Sequence, residues 1–308
     1  MLLASTLVSC GGGGGSPATP VLPTPPPSGW PAGTVLSLVS GETGAPIAGA
    51  QVIVAGLPPH VADAAGQATM QTTAADGATV DVEATGFLTR QTLVRHSLTR
   101  LTLWPDHARL PGSYTKALVY TSSAVGDSTS RVPLERLPPH VRTLALEPSD
   151  QLKADPQTMA AHRQAVDYFN AAVQGQVVFA VGGAADLIVP TRIDKTYSSC
   201  EGRADRLLAL TWVSRHEVSR AEIVFCSEKP THLPTPIAHE LGHVFGLRHS
   251  ADGSDVMCRY YDSGAEHGFT DRETLAMSLL LLRRGGNAWP DNDRTATASG
   301  THFRLFVD

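Results

Sequence analysis

The chain has 308 residues, 42% of them hydrophobic, and a formal net charge of -5. That length accommodates two domains, and the slight acidity leaves no electrostatic footprint for a nucleic acid, so that partner class is set aside. No apolar run reaches transmembrane length, so membrane attachment would need another device.

The first residues offer such a device. Residues 2–8 are a short apolar stretch, and Leu7, Val8, Ser9 and Cys10 resemble the lipobox of bacterial lipoproteins. The resemblance implies a signal over residues 1–10, lipidation of Cys10 and attachment to the bacterial cell envelope. Gly11 after the cysteine, in place of Asp, implies the outer membrane; without use of the box the same start implies secretion. A run of glycines and a proline-rich stretch over residues 11–33 read as an unfolded tether.

Residues 34–104 carry short alternating or apolar runs, at 35–39, 51–54, 79–83 and 99–103, separated by Gly, Asp and Pro turns. This predicts a small all-β sandwich. The series Gly44, Pro46, Ile47, Gly49, Val52, Val54, Asp63, Gly66, Val82, Gly86 and Phe87 resembles the carboxypeptidase regulatory-like, transthyretin-type domain, which implies a spacer or adhesion element without chemistry of its own. His60 and His96 are expected to face solvent. Residues 105–140 form a connecting segment whose pattern leaves open a linker, a propeptide or an added strand pair.

From residue 141 the pattern changes to mixed α and β. A strand over 141–146 precedes Asp155 and Pro156, which open a helix with Met159, Val166, Phe169 and Val173 on one face. Apolar runs at 177–181, 187–189, 207–213 and 223–225 follow as strands, and 207–213 is the candidate sheet edge.

Residues 239–249 read HELGHVFGLRH. By chance, a string fitting HExxHxxGxxH would occur in on the order of one chain of this length in a hundred thousand, so accident is a poor account of it. At i and i+4 of one helix, His239 and His243 aim at a common point. Glu240 projects beside the first ligand, where a carboxylate serves as a general base to water. Gly246 suits a left-handed residue that ends the helix and returns His249 to the same point from another direction. Thr235 and Pro236 are expected as N-cap and first helical residue, with Ile237, Leu241 and Val244 as the apolar stripe. Three imidazoles and a vacant fourth position describe a catalytic Zn²⁺ site more than a closed structural one.

With Met257 eight residues after His249 and Ser250 directly behind it, the chain resembles the metzincins, and among them the matrixin branch. The resemblance implies an α+β peptidase domain over residues 141–284, with a twisted mixed sheet and three helices, preceded by the all-β sandwich. It further implies Zn²⁺ on His239, His243 and His249, Glu240 as the catalytic base, Met257 as the floor of the site, and extended polypeptide pairing with the sheet edge. Two matrixin features are missing: a His and Asp cluster for a second zinc over residues 182–202, and an upstream cysteine switch. Tyr260 and Tyr261 follow the methionine at a spacing that assigns them no role. Phe269, Thr270 and Asp271 lead into a helix with Leu275, Met277, Leu279 and Leu282. The tail, residues 285–308, closes on an apolar run at 302–307, a candidate terminal strand.

With Cys10 lipidated, Cys200, Cys226 and Cys258 leave one pair and one free thiol in an oxidising compartment. Cys200 with Cys226 is the simpler disulfide, and Cys226 with Cys258 stays open. Cys258 as a metal ligand is disfavoured, because three histidines suffice. His216, His232 and His267 are candidates to border a cleft. Together these readings describe a monomeric, lipid-anchored zinc endopeptidase for polypeptide substrates. A cell-surface polypeptide-binding protein with an uncatalytic zinc centre is the alternative, disfavoured by the intact Glu240.

Overall fold

The computed structural model describes residues 29–106, 115, 118–119, 133–201, 206–258, 267–288, 291–293 and 300–307. Cys10, most of the tether, Tyr260 and Tyr261 lie outside the described residues. Among the described residues no helix is long and apolar enough to cross a membrane.

The N-terminal part is built of seven short strands: β1 (Val35–Ser40), β2 (Gln51–Val54), β3 (His60–Val61), β4 (Gln67–Thr69), β5 (Thr79–Glu83), β6 (Arg90–Leu93) and β7 (Arg100–Leu103). They form a three-stranded sheet in the order β4-β1-β7 and a four-stranded sheet in the order β3-β2-β5-β6. Alternation drives this arrangement: Val52, Val54, Val80 and Val82 all point into one apolar core with Leu36, Leu38 and Trp30. Strands β3 and β4 escape sequence reading because each is too short to show a period, and β6 because its inward residues, Arg90 and Thr92, are polar. His60 is buried at 6% exposure, against the expectation of a solvent-facing side chain, because it lies on the inner face of β3. His96 is exposed, as expected.

The C-terminal part is α+β. Its sheet has six strands in the order β13-β11-β12-β10-β8-β9: β8 (Thr143–Pro148), β9 (Val178–Val181), β10 (Leu187–Ile193), β11 (Leu207–Ser214), β12 (Glu217–Phe225) and β13 (His302–Val307). The pairs from β9 to β12 are parallel, whereas β11 runs antiparallel to both of its neighbours. A short helix α1 (Asp150–Lys153) leads into α2 (Pro156–Val173), which packs on the sheet; α3 (Pro234–Phe245) lies against α2, and α4 (Asp271–Leu282) follows.

Helix α2 starts where Asp155 accepts the Gln157 N–H and Pro156 takes the first position. Its buried face carries Thr158, Ala161, Ala165, Val166, Phe169 and Val173, so Met159 falls at the margin, half-buried, and not on the central stripe. Phe169 ties three elements together, lying 4.6 Å from Phe179 of β9, 5.8 Å from Phe245 of α3 and 4.6 Å from Phe269. Burying one such ring contributes about 2–3 kcal/mol. In α4, Leu282 is 41% exposed, because the helix ends there and its last turn has left the core.

The predicted edge, residues 207–213, forms β11 but is not an edge. Strand β13 pairs with it over six residues, from Leu208 opposite Val307 to Val213 opposite His302. A strand distant in sequence covers it, which no local pattern announces. The core of the α+β part also draws on the connecting segment, through Leu118, Val119, Leu134 and Leu137.

The two parts are joined by buried charge. Arg90 of β6 contacts Asp293 at 3.1 Å, and Arg283 beyond α4 contacts Asp291 at 2.6 Å while donating to the carbonyl of Thr102. Thr92 and Asn287 also donate to Asp293.

Candidate metal centre

Helix α3 begins at Pro234, two residues earlier than Thr235 as N-cap would allow. Leu233 is the N-cap and supplies no side-chain bond, because leucine has no acceptor; the start is set by Pro234, whose fixed φ suits a first helical residue. Thr235 instead exchanges hydrogen bonds with the backbone of His267. The helix ends where Gly246 takes φ +118°, with its N–H and that of Leu247 both bonding to the carbonyl of Gly242. A side chain at Gly246 would meet more than strain: a Cβ there would stand 2.3 Å from the carbonyl oxygen of Glu135.

That turn brings His249 back to His239 and His243. All three are buried, with exposures of 5%, 2% and 5%, and one ring nitrogen from each lies within 4.8 Å of the others. Nδ1 of His239 is 2.6 Å from the carbonyl of Val256, and Nδ1 of His243 is 3.0 Å from the carbonyl of Leu247. A carbonyl only accepts, so both rings carry their proton on Nδ1 and turn a lone pair on Nε2 inward. Nε2 of His243 and of His249 approach to 3.1 Å, close to the separation of about 3.3 Å between two nitrogens sharing a tetrahedral ion. The donor set therefore fits a borderline-soft divalent cation. Glu240 is buried at 1% exposure in the helix turn that carries His239.

Met257 is fully buried beneath this helix. Its placement depends on Gly242, where a Cβ would stand 2.3 Å from the Met257 sulfur. Its N–H donates to Glu273 of α4 at 2.7 Å, and its carbonyl accepts the Ser250 N–H. Asp255 braces the same turn by accepting from Ser250 and Thr270, while Thr270 and Glu273 form a capping box at the start of α4. Burial, and then the nearby Asp255 carboxylate, push Glu273 up to about 7. The spacing Thr270-x-x-Glu273 was a readable signal for the cap, though not for the bond to Met257.

Residues 155–274 match the matrixin family model. This matrixin-like segment begins at the cap of α2, ends in the first turn of α4, and includes all three histidines, Glu240 and Met257. The match supports a metalloprotease of the metzincin kind. No curated protein sequence matches the chain. Among solved structures, a crystal structure of metalloproteinase-II from Bacteroides fragilis aligns with 80% of this chain and 98% of that one, at 12% identity and a TM-score of 0.32. That likeness is too low to establish a shared fold.

The candidate histidines His216, His232 and His267 are not gathered at the cluster. His232 pairs with Asp155 at 2.5 Å and so secures the cap of α2. His216 is buried in the β11–β12 turn, where its carbonyl accepts the Arg136 N–H. His267, half-buried, is held by Thr235 at the start of α3. Cys200 and Cys226 are bridged, with Cα atoms 5.2 Å apart, and Cys258 is a buried free thiol in the turn after Met257. Sequence reasoning missed three residues near the site: Glu135, which contacts Arg248 at 3.3 Å; Glu273; and Phe306, whose ring stacks on His243 at 4.1 Å and 6°. Arg248 is buried and lowered to about 10, by desolvation first and by Arg304 second.

Proposed function

We propose that this chain is a zinc-dependent endopeptidase that hydrolyses polypeptides at the bacterial cell envelope, as a monomer. The observation that carries the reading is the buried trio of histidines, two of them held by backbone carbonyls so that Nε2 faces a common point, with Glu240 in the same helix turn. The matrixin match over the same residues supports it.

In this reading His239, His243 and His249 hold Zn²⁺. When bound, zinc supplies Lewis acidity, which polarises the scissile carbonyl and makes water easier to deprotonate. Glu240 takes the proton from the attacking water and delivers it to the leaving amine, and its burial keeps that transfer away from bulk solvent. Met257 closes the floor under the helix and fixes the distance between α3 and the turn. Lipid on Cys10 would hold the enzyme at the membrane on its flexible tether; Cys10→Ser would then release it from the membrane fraction.

The test is cleavage of an unfolded protein by the zinc-loaded chain and by Glu240→Ala at equal zinc content. Loss of roughly 10³-fold in the variant is expected, within the range that a positioned acid–base group contributes. Zinc retained with equal rates in both proteins would remove Glu240 from the chemistry. No cleavage by either, nor by a zinc-loaded chain ending at Ser299, would favour the polypeptide-binding alternative.

A further inference from the structure

Strand β11 has two edges. One is taken by β12 along its whole length, so a polypeptide that adds a strand there has to take the other, which β13 occupies over six residues. If a substrate strand adds to β11, as the resemblance implies, this occupant takes its place; it runs antiparallel to β11 and reaches the histidine cluster. Its side chains alternate as in any strand: Phe303 and Leu305 are 47% and 37% exposed, while Phe306 is buried at 6%.

The inward pair makes specific contacts. Phe306 stacks on the ring of His243 and lies 5.2 Å from the guanidinium of Arg248. Two residues earlier, Nε of Arg304 donates to Glu135 at 2.7 Å. Glu135 and Arg248 come from the connecting segment and from the loop between Gly246 and His249, so the tail's anchors belong to the site itself. On its other face Phe303 lies 5.2 Å from the ring of Trp212, and the arginine of the ion pair is 23% exposed, so solvent weakens that pair.

We propose that residues 302–307 are a pseudosubstrate: they keep the cleft closed to polypeptides until displaced, and their inward side chains display the chemistry that the cleft selects. This rests on the endopeptidase reading above. The preferred substrate is an extended polypeptide with a basic residue against Glu135 and an aromatic residue two positions later against His243 and Arg248.

The test compares the zinc-loaded full chain with a chain ending at Ser299, and with full-length Arg304→Glu/Phe306→Ala, which keeps the backbone strand should the shortened chain fail to fold. A tripeptide hydroxamate, titrated calorimetrically, reports access to the cleft without needing turnover. Its affinity is expected to rise at least tenfold in both altered proteins. A synthetic peptide of residues 300–308 should compete for the opened cleft, and the same peptide carrying both substitutions should compete at least tenfold less well. Equal hydroxamate affinity in full and altered chains, or no competition by the peptide, would overturn the proposal and leave β13 a structural strand. Cleavage of an unfolded protein is followed alongside. Tighter hydroxamate binding without cleavage would sink the endopeptidase reading while the tail remains the occupant of the cleft. Cleavage at the same rate in all three proteins, with unchanged hydroxamate affinity, would do the reverse.

Discussion

Gly242 and Met257 meet so closely that a Cβ on the glycine would lie 2.3 Å from the methionine sulfur. The pair sets how near α3 can settle on the turn that follows His249, and both residues are fully enclosed. Gly242→Ala has no helix-propensity reason to harm, since alanine is the better helix former. Overpacking against Met257 should dominate and destabilise the protein by about 1–3 kcal/mol. Chemical denaturation would show it, and Gly242→Ala with Met257→Ala together should recover part of the loss. A neutral Gly242→Ala would mean that the turn moves freely.

Glu273 predicts a pH dependence of stability. Its carboxyl is raised from 4.5 to about 7, by burial first and by Asp255 second. The native protein therefore holds this proton more tightly than the unfolded chain. The associated stabilisation is complete below about pH 4.5 and is lost as the pH rises through about 7. In Glu273→Gln that decline should shrink by about 3 kcal/mol, measured by denaturation from about pH 4.5 to about pH 7.5 in chelator-treated proteins. Parallel curves for the two proteins would contradict it.

Metal removal should loosen the fold as well as stop any activity. The three imidazoles come from one helix and the loop that reverses out of it, so a shared ion cross-links elements that separate on unfolding. At metal concentrations a thousandfold above the dissociation constant, the linkage is worth about 4 kcal/mol. A strong chelator should then lower Tm by on the order of 10 °C. His249→Ala should both reduce zinc stoichiometry and lose most of the chelator effect.

Asp293 compensates a buried arginine. It contacts Arg90, accepts from Thr92 and Asn287, and is itself enclosed, held below the usual carboxylate range by Arg90 and Arg283 against the opposing effect of burial. Asp293→Ala would strand Arg90 in the join between the N-terminal β-rich part and the α+β part, at a cost of about 3–5 kcal/mol. Limited proteolysis should then cut between the two parts sooner than in the parent. Replacing Arg90 by Met and Asp293 by Leu together should restore much of the stability, because no unpaired charge remains.

Sequence alone determined the parts of this protein that depend on neighbours along the chain. The i, i+4 spacing of His239 and His243, the turn at Gly246, the cap of α2 at Asp155 and Pro156, and the alternation in β1, β2 and β5 all follow from local geometry, which a one-dimensional pattern records. Thr235 as the helix cap failed because Pro234 had already begun the turn, a competition within three residues. Tertiary structure decided the rest. That β13 rather than solvent lies along β11, that Glu273 rather than water receives the Met257 N–H, and that Arg90 meets Asp293 are contacts between residues far apart in the chain. Such contacts exist only when packing brings whole elements together, since each side chain offers the same donor, acceptor or apolar surface to many partners. The histidine cluster was legible because its three members sit within eleven residues of chain. That β13 covers β11 was not, because His302–Val307 and Leu207–Ser214 are each an ordinary apolar run until the fold pairs them.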